Sequence, residues 1–159
     1  MSKKILFNIF GFYFCWWISI YGASVEIYYL GPLSVLLFLF IHLYKVVYHK
    51  NEILFLIICF FVGTAIDTLL LRFNVIEYDG FLPYYYDIAP LWVVCLWVCF
   101  GATISHSFKW VKRRYLLLSI LGAISGPIIY FSATKFNTLH FINETNYKIV
   151  IISIIWAVF

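Results

Sequence analysis

The stretch Ile88–Arg114 constrains the fold more than any other part of the chain. It holds about twenty apolar residues, and a helix rising about 1.5 Å per residue would cross a hydrocarbon core of roughly 30 Å over that length. The stretch ends in His106 and a basic cluster of Lys109, Lys112, Arg113 and Arg114. Because basic residues beside an apolar span mark the cytoplasmic side, the stretch predicts a transmembrane helix whose carboxyl end faces the cytoplasm.

The remainder of the chain is equally apolar. Hydrophobic residues make up 65% and charged residues 11% of the 159 residues, against about 45–50% and about 25% in soluble proteins. This composition excludes a soluble catalytic module and predicts one transmembrane domain, residues 1–159. We expect an all-α bundle of six helices, with spans at about Ile5–Tyr21, Tyr28–Tyr48, Ile53–Leu71, Ile88–Phe108, Tyr115–Thr134 and Tyr147–Phe159. The last span is short for a bilayer, so we expect it to be clipped, although it could instead start earlier or lie in a thinned membrane.

Lysine and arginine residues are distributed unequally between alternate linkers. With the amino terminus inside, eight of them fall on the cytoplasmic side and three fall outside, which predicts a cytoplasmic amino terminus. The net charge of +4 is explained by this topology, so we expect no nucleic-acid partner. We also expect no cofactor and no metal site, because two membrane histidines are too few ligands and the four cysteines lie inside apolar segments.

Small residues recur in these segments at spacings of three and four, which place them on one helix face. Such faces let helix backbones approach closely in lipid. We therefore expect helix packing at Gly11, Gly63, Gly122, Gly126 and Pro127, with a kink at the proline. In the fourth span, the same spacing predicts an inner wall that runs from Trp92 to His106.

Three ionisable residues lie at membrane depth, where their burial is costly unless something compensates: His42, Asp67 and His106. Each histidine stands three residues before a lysine, so the two share a depth near the cytoplasmic boundary. We expect a polar pocket open to the cytoplasm, formed by Asn8, His42, Ser105, His106 and Lys109, beneath a head-group rim of Lys112, Arg113 and Arg114. The alternative is that each histidine is only an interfacial anchor.

Asp67 belongs to a different depth. Counting from Ile53, it lies about 21 Å from the inner edge of the membrane, so a direct contact with either histidine is disfavoured. Thr64, Thr68, Arg72 and groups from spans one and five are the expected partners. A structural hydrogen bond and a catalytic or transport role both remain open for this carboxyl group.

Several short patterns resemble those of one protein family. They are Gly31-Pro32, Asp67, the APLW…LW…F run from Ala89 to Phe100, His106-Ser107 followed by Trp110, and Gly126-Pro127 before Tyr130. Together they resemble a family of small bacterial inner-membrane proteins catalogued as domain of unknown function 2878. The resemblance covers nearly the whole chain and implies six helices in the bacterial inner (cytoplasmic) membrane. It implies no established activity, although it suggests a link to lipid modification.

Three functions are therefore compatible with the sequence. The first is a non-catalytic component that binds membrane lipids or holds a membrane-protein partner or a second copy of itself. The second is an intramembrane lipid-modifying enzyme, or a subunit of one, that uses His42 and His106. The third is a small proton-coupled transporter in which Asp67 titrates.

Overall fold

The computed structural model describes residues 3–46, 50–82, 87–107, 114–142 and 146–158. Six helices and two short strands follow one another along the chain: α1 (Lys3–Ser24), α2 (Leu30–Lys45), α3 (Lys50–Arg72), β1 (Ile76–Tyr78), α4 (Leu91–Ser107), α5 (Tyr115–Thr134), β2 (Leu139–Phe141) and α6 (Asn146–Val158). The predicted bundle of six helices is confirmed. The predicted and observed bounds are identical for α5 and differ by up to three residues for α1 and α3. The predicted ends of the second, fourth and sixth spans, at Tyr48, Phe108 and Phe159, lie outside the described residues.

The distribution of apolar side chains is that of a membrane protein. Three helices are long and apolar enough to cross a bilayer, at Lys4–Ser24, Asn51–Arg72 and Tyr115–Thr134, and the other three are shorter apolar helices. Large apolar side chains such as Phe10 and Phe40 are 68% and 72% exposed, whereas Asn8, His42 and Asp67 are fully buried. Because apolar groups face outward and polar groups inward, the outer surface of the bundle suits lipid.

Helices α1 to α4 form one packed group, and α5 packs against α6. Glycine is required where these helices approach most closely. A Cβ on Gly122 would overlap the carbonyl oxygen of Trp156 in α6, and a Cβ on Gly63 would overlap the indole of Trp97. Gly126 likewise packs on Trp156, and Gly11 packs on Phe38. Pro127 lies inside α5, and the helix continues past it to Thr134.

Aromatic side chains join the α5–α6 pair to the other four helices. The ring of Trp156 stacks on Trp97 of α4 with their centroids 5.1 Å apart, and it also lies 5.2 Å from the ring of Phe100. The two groups of helices therefore meet through large side chains, and space remains between them.

The strands add a second connection between the two groups. β1 follows α3, β2 follows α5, and they pair antiparallel with Ile76 opposite Phe141 and Tyr78 opposite Leu139. Ile76, Tyr78 and Leu139 are buried, whereas Glu77 and His140 face outward. The described part of the linker between α3 and α4 contains β1, while residues 83–86 lie outside the described ranges.

Candidate functional site

One polar cluster is built from the ends of helices at a single end of the bundle. Glu52 lies in the first turn of α3, while His42 and His106 lie in the last turns of α2 and α4. These positions suit the helix dipoles, because a carboxylate is favourable near a helix amino terminus and an imidazolium near a carboxyl terminus. Asn8 joins them from the first part of α1.

The four side chains form one connected network. Nε2 of His42 and Nε2 of His106 both approach the same oxygen, Oε1 of Glu52, at 2.9 and 2.7 Å. Nδ1 of His42 lies 3.0 Å from Oδ1 of Asn8. The side chain of His42 is fully buried, and those of Glu52 and His106 are 10% and 13% exposed. The described part of the cluster is thus almost enclosed.

The cluster unites three of the five residues predicted to line the cytoplasmic pocket. Asn8, His42 and His106 lie together, whereas the side chain of Ser105 and all of Lys109 lie outside the described parts. Of the predicted head-group rim, Lys112 and Arg113 lie outside them too, and Arg114 is exposed just before α5.

Glu52 is the functional candidate that the sequence analysis missed. Its position in the sequence could have identified Glu52. It follows His42 after a short linker and therefore begins the next helix, at the end of the bundle where both histidines were expected. Glu52, His42 and His106 each offer one potential metal-ligand atom, and the three atoms lie within 4.8 Å of one another.

A second polar site surrounds Asp67 in α3. The hydroxyl groups of Tyr78 and Tyr130 donate to Oδ1 at 2.6 and 2.5 Å, and the indole N–H of Trp97 donates to Oδ2 at 2.5 Å. All four residues are buried. Since β1, α4 and α5 each supply one donor, the carboxyl group connects the two groups of helices.

The partners expected for Asp67 on its own helix were wrong. Thr64 donates to the carbonyl of Phe60, Thr68 accepts from the backbone N–H of Ala89, and Arg72 donates to the carbonyl of Asp87. A hydroxyl in a helix commonly bonds to the carbonyl one turn earlier, which explains why Thr64 bonds to Phe60 rather than to Asp67. The expectation of a partner from span five is met by Tyr130.

The phenol of Tyr78, in the linker strand, remains a donor over the whole physiological range. Burial raises the pKa of Tyr78 well above its ordinary value, and the nearby Asp67 raises it further. A neutral phenol donates a hydrogen bond to the carboxyl group, so Tyr78 stays a donor to Asp67.

An aromatic cavity of about 60 Å³ lies between the two groups of helices, next to Asp67. Four tryptophans line its wall: Trp16, Trp92, Trp97 and Trp156. Apolar side chains from α1, α4, α5, β2 and α6 complete it, among them Ile20, Leu96, Ile129, Ala133 and Leu139. A lining of this kind excludes water and favours an apolar occupant.

Sequence comparison identifies the family of the chain. No curated protein and no solved structure gives a significant match. The profile of one family, described as a protein of unknown function (DUF2878), matches residues 5–159, which is nearly the whole chain. A match of that extent includes α1 from Ile5 onward, the other five helices, both strands and every residue of the two polar sites. The chain is therefore a member of the DUF2878 family.

Proposed function

We propose that this protein is a non-catalytic lipid-binding component of the bacterial inner membrane, and that it holds the end of an apolar chain in the aromatic cavity. The observation that carries the proposal is the cavity itself. It lies where two groups of helices meet, and its wall is made almost entirely of apolar and aromatic side chains. Binding sites for apolar molecules share this composition.

The size of the cavity defines how much of a ligand enters. A liquid water molecule takes up about 30 Å³, and an apolar cavity of roughly 150 Å³ stays dry and binds benzene. A cavity of about 60 Å³ therefore accepts the last few carbons of an acyl or isoprenoid chain, while the rest of the molecule stays in the bilayer. Asp67 is no obstacle to such a ligand, because three donors already satisfy its oxygens.

The same contacts weaken two alternatives. A membrane-protein partner or a second copy would need a free face of small residues, but Gly122 and Gly126 of α5 already pack against Trp156 of α6. Transport by titration of Asp67 requires access for a proton, whereas this side chain is fully buried. Membrane lipids remain the partner that the geometry favours.

The cluster around Glu52 favours a second candidate, an intramembrane lipid-modifying enzyme. Two imidazoles that share one carboxylate oxygen form an arrangement suited to moving a proton. Lipid profiling of a deletion strain complemented with His42→Ala or His106→Ala addresses this candidate. Loss of one lipid species with both variants supports the enzyme, and full rescue by both excludes it.

Tryptophan quenching by a brominated fatty acid in detergent micelles tests the lipid-binding proposal directly. A Trp17→Phe, Trp110→Phe background keeps the four tryptophans of the cavity wall among the six of the chain. We expect saturable quenching, because a bound brominated chain would lie in van der Waals contact with the indoles. Ala133→Leu fills the cavity and should weaken the apparent affinity about tenfold or more, as expected for a few methylene groups.

Ala65→Leu is the matched control, because Ala65 is an exposed residue of α3 away from the cavity. It should leave the quenching curve unchanged. Quenching that rises linearly with brominated lipid and is identical in the two alanine variants would mean that the lipid only dissolves in the micelle. That result would refute a bound chain in the cavity.

A further inference from the structure

The Nε2 atom of His42 lies in a position that suits a proton or a cation. Its Nδ1 lies 3.0 Å from Oδ1 of Asn8, and with the Asn8 amide in this orientation Nδ1 carries a proton. In the neutral ring, Nε2 then has a lone pair and no proton. That lone pair lies 2.9 Å from Oε1 of Glu52, which is also an acceptor. Two acceptors at this distance repel each other unless something positive lies between them.

The second imidazole points at the same place. Nε2 of His106 lies 2.7 Å from the same Oε1, and the rings of the two histidines have centroids 5.2 Å apart at a steep angle. Three ligand atoms from three helices therefore converge within 4.8 Å of one another. A small outward movement would bring each to the usual distance of about 2.0–2.2 Å from a zinc ion.

We propose that His42, Glu52 and His106 form a binding site for one divalent transition-metal ion of the zinc class, with Asn8 as the residue that orients His42. This metal site is separate from the aromatic cavity, and the proposal does not depend on lipid binding. An imidazole that ligates a metal through one nitrogen usually donates its other N–H to an acceptor, as His42 does to Asn8. Two nitrogens and one oxygen suit zinc or its neighbours better than magnesium or calcium, which prefer oxygen ligands.

The set of three ligands describes an open site. Structural zinc sites use four protein ligands, whereas sites that bind an external ligand use three and leave the fourth position to water or a substrate. Two neutral imidazoles and one carboxylate leave a divalent ion with one uncompensated positive charge. An anionic oxygen, such as a carboxylate or phosphate oxygen, is therefore the expected class of external ligand.

Cobalt titration tests the site, because Co²⁺ replaces zinc and gives visible d–d absorption bands in a nitrogen and oxygen site. The full-length protein, purified in detergent without a polyhistidine tag and stripped with EDTA, is titrated with Co²⁺ and then with Zn²⁺. We expect one Co²⁺ per chain, displaced by Zn²⁺. His42→Ala, Glu52→Gln and His106→Ala should abolish the bands, whereas Asn8→Leu should keep their shape and weaken the affinity by about 10–100-fold.

His140→Ala is the matched control, because His140 forms a similar pair with Asp79 that is about half exposed. Its bands should equal those of the wild-type protein. Glu52→Gln is nearly isosteric, and circular dichroism verifies that it has folded. A wild-type protein that gives no bands would overturn the proposal. Bands that persist in Glu52→Gln would overturn it as well, because the metal would then be bound elsewhere.

Discussion

Replacement of Asp67 by asparagine tests the account of the second polar site. In the native protein the carboxylate accepts three hydrogen bonds, two at Oδ1 from tyrosines and one at Oδ2 from Trp97. Asparagine can keep an oxygen toward the tyrosines, but its amino group then faces the indole N–H. The amide N–H groups of the new asparagine and the indole N–H of Trp97 are both donors, so the hydrogen bond to Trp97 is lost. Both groups then lack an acceptor in a buried site.

The expected cost follows from those losses. A hydrogen bond to a charged group contributes about 1.5–3 kcal/mol, and an unsatisfied buried polar group costs roughly 1–3 kcal/mol. The two terms together predict that Asp67→Asn lowers the free energy of unfolding by about 2.5–6 kcal/mol. Tyr130→Phe removes one donor and leaves two, so its cost should be about 1.5–3 kcal/mol.

Equilibrium unfolding in mixed detergent micelles, followed by circular dichroism, measures both values. Asp79→Asn is the control, because Asp79 is half exposed and its pair with His140 should contribute less than about 1 kcal/mol. If Asp67→Asn costs no more than this control, the carboxyl group is a neutral acid in the folded protein. That result would refute the account given above of three donors around a carboxylate.

Three further predictions concern helix packing, a hydrogen bond between α3 and the linker before α4, and topology. Gly122→Ala should lower the free energy of unfolding by about 1–3 kcal/mol, because the added methyl overlaps a backbone oxygen of α6; a cost equal to that of Leu116→Ala, on the exposed face of α5, would contradict it. Thr68→Val should cost about 1–3 kcal/mol in the same assay, since the N–H of Ala89 loses its acceptor, and a neutral effect would mean that water replaces the hydroxyl. A maleimide reagent should label Glu77→Cys in intact cells and Tyr115→Cys only after lysis; the opposite pattern would reverse the orientation.

The helices could be predicted because their signal is long and local. An apolar run of about twenty residues in lipid forms a helix because its backbone groups must bond within the run. The predicted span Tyr115–Thr134 accordingly has the same bounds as α5. The strands could not be predicted in this way. Each has three residues, too few to show the alternation of a half-buried strand, and their pairing joins two linkers that are distant in sequence.

The two polar sites were predictable to different degrees. The shared depth of His42 and His106 follows from helix geometry, so the sequence was enough to suggest a pocket containing both. Glu52 was missed because a carboxylate beside a membrane boundary looks like an ordinary solvated charge. The partners of Asp67 were missed because Tyr78 comes from an unpredicted strand, and because no pattern in the fourth span singled out Trp97.

The position of Tyr130 has a consequence for how the protein is made. Translation delivers α1 to α4 and β1 before α5, so a chain on the ribosome can already offer Tyr78 and Trp97 to Asp67 but not Tyr130. An incompletely satisfied carboxylate inside a bilayer is costly, and the half-made protein is therefore poorly anchored in its final arrangement. Arrival of the last helical hairpin supplies the third donor and the second strand together. A product truncated before that hairpin would lack both the donor from Tyr130 and the partner of β1.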